Sequence, residues 1–268
     1  MAGAALELIL RRDRAVVATA LTGIAAIAWA YVAWLAAEMA MTAPAGGMAG
    51  MNMPGMMAPG LRPWSGADFM FMFAMWAVMM VGMMTPSVAP MVLIYARVTR
   101  QAVTKGTPLA AAGWFIAGYL LAWTGFAFAA TLAQWALERA ALLTPAMASA
   151  TDVFGGTVLI LAGLYQWTPL KAACLAQCQA PIVFIQRHGG FRRDPLGTLT
   201  LGVRHGLYCI GCCWALMALL FVGGVMNLLW IAAIAIFVLL EKVATTGRTL
   251  SRIAGAGFIA AGFWVLAV

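Results

Sequence analysis

Long apolar runs of this chain carry no charged side chain: 15–37, 69–96, 107–137, 153–170, 206–240 and 253–268. A helix rises about 1.5 Å per residue, so about 20 uncharged residues cross a hydrocarbon core about 30 Å thick. A chain with 9% charged residues cannot coat a soluble globule, which usually carries about a quarter. The expected fold class is all-α, a polytopic transmembrane helix bundle. The excess of 16 Lys and Arg over 8 Asp and Glu then orients loops, and nucleic acid is set aside as a partner.

The run 15–37 is too long for a signal-peptide core of about 7–15 residues. In the second run, Pro86 and Pro90 predict a kink or a shortened helix. The 35 residues of 206–240 would make one helix roughly 52 Å long, well beyond the bilayer core. Gly223-Gly224, followed by Asn227, supplies a tight turn that splits this run.

The spans expected are therefore about 15–37, 69–96, 107–137, 153–170, 205–222, 225–241 and 251–268, seven in all, or six if one fails. With seven, 14 of the 16 positive residues fall on one side and only Arg62 and Arg139 on the other. Leaving 206–240 unsplit gives 11 against 5. The positive-inside rule favours seven, with the N-terminus cytoplasmic and the C-terminus external. Asp152 reads as a helix N-cap, and Glu241-Lys242 as the interfacial end of the sixth span.

Residues 38–68 form the expected external loop. Its Gly and Pro content disfavours a packed element, yet it holds Met39, Met41, Met48, Met51, Met53, Met56 and Met57. Thioether sulfur selects Cu(I), and the spacing of Met48, Met51, Met53 and Met56 lets a flexible chain wrap one ion. Compositional drift in a linker is the competing reading. In the second span Met72, Met75, Met79 and Met83 share one helical face, with Met80 and Met84 beside it. Core packing is the commoner use of such a stripe, but Met79 and Met83 could also line a path inward.

Five cysteines form two groups, Cys174-x-x-x-Cys178 and Cys209-x-x-Cys212-Cys213, both expected at cytoplasmic helix ends. Reducing conditions there favour metal or transient redox chemistry over stable disulfides. Residues i and i+4 on a helix reach one ion, which suits Cys174 with Cys178. His205, Cys209 and Cys212 fall on one face of the fifth span, with Cys213 further round. If the two helices pack together, the thiols and His205 make a soft site: four donors suit zinc, and fewer thiolates suit copper as Cu(I). Each cysteine taken singly could equally be a small buried hydrophobe. His188, within Arg187-His188-Gly189-Gly190-Phe191-Arg192-Arg193, reads as part of a basic loop facing lipid headgroups, and Pro181–Ile185 as a short interfacial or re-entrant segment.

The motifs Gly163-Leu164-Tyr165-Gln166-Trp167-Thr168-Pro169-Leu170-Lys171, Arg204-His205-Gly206, Gly211-Cys212-Cys213-Trp214, Gly224-Val225-Met226-Asn227 and Met79-Met80-x-x-Met83-Met84-x-Pro86 carry a resemblance. Over about 68–242 the chain resembles a bacterial family described as predicted metal-binding integral membrane proteins. The resemblance implies a multi-pass protein of the bacterial inner (cytoplasmic) membrane that binds metal through these Cys and His residues.

Two functions follow. The first is a protein that handles copper or another soft metal in transport, acquisition or delivery. Its partners are the lipid bilayer, the metal ion and a metallochaperone or metalloenzyme; whether it is an enzyme stays open, with a non-enzyme the closer fit. The second is a membrane thiol-disulfide oxidoreductase using Cys174/Cys178 and Cys209/Cys212, although pairs within one helix strain a disulfide. No P-loop is present, so active transport would draw on a gradient or a partner.

Overall fold

The computed structural model describes residues 2–42, 64–144 and 147–268, so the expected ligands Met48, Met51, Met53 and Met56 lie outside the described residues. Ten helices follow in order: α1 (Ala2–Thr42), α2 (Gly66–Thr104), α3 (Ala112–Arg139), α4 (Asp152–Tyr165), α5 (Pro169–Gln179), α6 (Pro181–Arg187), α7 (Pro195–Ala218), α8 (Leu220–Gly223), α9 (Leu228–Val243) and α10 (Gly247–Ala267). Among the described residues there is no strand beyond an isolated bridge between Leu143 and Ser149. Five helices are long and apolar enough to cross a membrane, or six if the bent pair α4–α5 is one crossing. The 16 residues of α9 are apolar but fall just short of the usual crossing length of about 17–25.

Local chemistry explains where these helices start and stop. Ser65 and Asp68 form a reciprocal capping box at the head of α2, with the Ser65 amide 2.8 Å from the Asp68 carboxylate. The same helix then runs unbroken through Pro86 and Pro90, so the shortening expected there does not occur. Side-chain hydroxyls serve neighbouring carbonyls: Thr85 donates to Val81 O at 2.6 Å, Ser87 to Met84 O at 2.9 Å and Tyr119 to Met84 O at 3.2 Å.

The fourth apolar run does not continue as one helix. It bends by 65° between α4 and α5, because Thr168 caps α5 and Pro169 occupies its first turn. Thr151, not Asp152, caps α4: its hydroxyl accepts from Phe154 N, and Asp152 is the first helical residue. Helix α7 begins ten residues before the expected start at 205, capped by Asp194, because the exposed Arg204 needs no helix end to reach solvent. The break at Gly224 is as expected, with φ +94 there and Asn227 capping α9 through Trp230 N. Residues 181–187 form the short α6, with Phe184 and Ile185 buried.

Two seams bring backbones together. A Cβ on Gly202 of α7 would strike the carbonyl of Phe115 in α3, and one on Gly118 would strike that of Leu199. Between α4 and α10, a Cβ on Gly163 would sit 2.6 Å from Gly255 O, and one on Gly255 2.8 Å from Gly163 O. Small residues allow this closeness where helix association rests on contact rather than on water exclusion.

A polar latch completes the assembly. Lys171, 1% exposed, holds both carboxylate oxygens of Glu241 at 2.9 Å. Gln166 accepts from the same ammonium, and Ser251 donates to Glu241 at 2.5 Å. This corrects the interfacial reading of Glu241-Lys242: both side chains are buried, and each needs a partner because a bare charge in an apolar interior is costly.

Replacing Gly202 by Val is expected to destabilise the purified protein by about 1–3 kcal/mol. Gly257→Ala, inside α10 where a Cβ meets open space, should not destabilise and should gain up to about 1 kcal/mol in the same thermal unfolding assay. Lys171→Met should cost about 3–5 kcal/mol by stranding Glu241, whereas Lys171→Met with Glu241→Leu should recover most of that loss.

Candidate metal centre

Helix α5 carries Cys174 and Cys178, and α7 carries His205, Cys209, Cys212 and Cys213. The bend at 166–168 turns α5 against α7, which brings the two cysteine groups together. All five thiols are free; Cys209, Cys212 and Cys213 are each 1% exposed, Cys174 is buried and Cys178 half-buried. The Cys178 side chain on α5 faces those of Cys209 and Cys212 on α7. Cys174 rests on the bare backbone of Gly211, where a Cβ would come within 2.7 Å of its sulfur.

Cys209 is the hub. Cys212 Sγ and Cys213 Sγ both donate to its carbonyl, at 3.0 and 2.9 Å. Its own sulfur lies 2.8 Å from the Lys242 ammonium and 3.1 Å from the Tyr119 hydroxyl. Lys242 also donates to Ser87 Oγ at 3.2 Å and lies 4.0 Å from Met84 Sδ. A cation from α9 and a phenol from α3 thus converge on one sulfur of α7, and the Met84 thioether of α2 borders the same cation. The cysteines sit mid-helix on α7 rather than at its end, because the helix starts well before Arg204. Cys213, expected to point away, belongs to the same buried cluster.

His205 occupies an aromatic sleeve one turn from Cys209. Its ring centroid lies 4.9 Å from Phe184, 5.7 Å from Phe115 and 5.9 Å from Tyr119, and its Nδ1 has no hydrogen-bond partner. His188 is tied to Phe184 O through Nδ1 at 2.8 Å and packs on Phe184 and Tyr208. Met79 and Met83 are buried among the α2 residues of the core, and Met83 also lines a groove with Trp29, Pro86 and Leu239.

Among the described residues, no three His, Cys, Asp or Glu side chains stand in a ready-made arrangement around an ion. The donors suit a soft ion that needs few ligands. Thiols and a thioether gather without carboxylates, and the one charged neighbour of Cys209 is a lysine, a poor companion for a four-coordinate zinc site.

Sequence reasoning missed Tyr119, Met84 and Lys242 as neighbours of the thiols. The signal available was Lys242 itself, adjacent to Glu241 at the end of an apolar run: neighbours on a helix point about 100° apart, so two adjacent charges reach different partners.

No curated protein and no solved structure matches the chain. The model of a family described as a copper chaperone, PpoB2, matches residues 73–265. That span contains α3 to α9 entire, every cysteine and Met79, Met83 and Met84. The metal-related character implied by the sequence motifs stands, under a description that specifies copper and differs from that of the family first resembled. The chain belongs to the copper chaperone family PpoB2.

Proposed function

We propose that this protein is a seven-span membrane copper chaperone that holds Cu(I) as cargo between α5 and α7 and passes it to a metalloprotein. The observation that carries the reading is the meeting of Cys178 with Cys209 and Cys212 across two helices, beside Met84. Two thiolates of this set are enough for Cu(I). Cys174, Cys213 and His205 lie close enough to exchange with them as the ion arrives or leaves. Lys242 keeps Cys209 partnered in the metal-free protein, and the incoming cation takes over as counter-charge. Tyr119 holds the same sulfur from the α3 side.

In this reading α9 is the sixth of seven crossings of a bacterial inner membrane, with the N-terminus cytoplasmic, residues 38–68 outside and the thiols towards the inner side. Lys171 and Lys242 are buried and orient no loop; without them, twelve positive residues still face two across the membrane. The external methionines Met48, Met51, Met53 and Met56 then collect Cu(I), and the buried Met79 and Met83 lie along α2 between that side and Cys209.

Two measurements check this. Purified protein titrated anaerobically with Cu(I) against a chromogenic chelator should bind tightly, and Cys178→Ser with Cys209→Ser should weaken that site by about 100-fold or more. Equal affinity in both proteins would overturn it, and a reversible Cys178–Cys209 disulfide under mild oxidation with no copper retention would favour the oxidoreductase instead. Reporter fusions should place the N-terminus inside and the C-terminus outside; both ends on one side would refute the seven-span topology.

A further inference from the structure

Gln134 on α3 is fully buried, and its amide is held in one orientation because its Oε1 accepts the Trp76 indole N–H at 2.7 Å. The amide nitrogen therefore faces three acceptors at once: Met147 Sδ at 3.2 Å, Met72 Sδ at 3.7 Å and Glu138 Oε1 at 2.8 Å. Two thioethers and a carboxylate thus lie within 3.7 Å of a single atom. Met72 stands twelve residues before Met84 on α2, about 18 Å along the helix axis.

Packing alone does not account for this. Thioether sulfur is a weak acceptor, and a core methionine gains its contacts through its carbons as readily as through its sulfur. Here two sulfurs from different segments aim at one buried polar group beside a charge.

The backbone also works to place one of them. Met147 adopts φ +56, a left-handed conformation uncommon for a residue with a long side chain. It is fixed there by its amide on Thr144 O at 2.8 Å and by Val225 N on its own carbonyl at 3.2 Å. The bridge between Leu143 and Ser149 closes the surrounding loop. Outward of the set, Trp64 donates to the second oxygen of Glu138 at 2.8 Å. Trp64 follows directly on the sequence segment that contains Met48, Met51, Met53 and Met56.

We infer that Met72, Met147 and Glu138 form a second binding site for a soft monovalent cation, a receiving site for Cu(I) at the end of the bundle where the methionine-rich segment joins it. The ion takes the position of the Gln134 amide nitrogen, which swings aside. Two neutral thioethers select the soft metal, and the single carboxylate balances its single positive charge, so a neutral assembly forms in an apolar surround. The inference rests on the copper reading, but it concerns different residues and a different end of the molecule.

The test counts ions bound to the purified full-length protein by native mass spectrometry, with Cu(I) under anaerobic conditions and with Ag(I) as a redox-inert probe. Met72→Leu with Met147→Leu conserves volume and leaves the 38–68 segment and all cysteines intact. It should hold one ion fewer than the wild type, keep the ion lost in Cys178→Ser/Cys209→Ser, and unfold at nearly the same temperature. Glu138→Gln should weaken the same ion without abolishing it. An unchanged ion count and affinity in the methionine double variant would overturn the receiving site while leaving the thiol site standing. Absence of any bound Cu(I) or Ag(I) in the wild type would overturn both.

Discussion

Two ammonium groups buried among apolar helices, Lys171 and Lys242, govern the arrangement of everything around the thiols. Neither tolerates isolation in such a surround, so each is met by a dedicated partner. Lys171 reaches back from the start of α5 to Glu241, and the next residue, Lys242, points another way to Cys209. One turn at the end of α9 therefore anchors α5 on one flank and the cysteine face of α7 on the other. Remove that turn and the two cysteine groups lose the common reference that brings them together.

The chemistry of the site follows from this economy of charge. The bundle spends its few interior ions on two pairs, and fills the remaining positions with polarizable sulfur. A soft cation can enter such an interior because the protein already provides sulfur and a counter-charge there, whereas a hard divalent ion would need several carboxylates that these helices do not supply.

Much of this was legible in the sequence. Apolar runs too long for anything but helices gave α1, α2, α3 and α10, and the Gly224 and Asn227 pair marked the turn before α9. The pairing of cysteine groups was readable because i, i+3 and i, i+4 spacings survive wherever a helix forms. The start of α7 was not, because a lone arginine reads as a helix end when it can as well sit on an exposed face. Thr168-Pro169 was a helix-start signal inside an apolar run, and length alone concealed it. Burial of Lys171, Glu241 and Lys242 depends on partners distant in sequence, and so does the convergence of Met72 and Met147 on Gln134; neither pattern has a local signature.

The glycine seam between α3 and α7 has a mechanical corollary. Where backbone meets backbone there is no side chain left to repack, so α3 and α7 behave as a single stiff spine that fixes Tyr119, His205 and Cys209 relative to one another. The α5 segment is joined to this spine differently, through a 65° elbow and side-chain contacts alone. Within the thiol cluster Cys209 therefore belongs to the stiff spine, and Cys178 to the segment beyond the elbow.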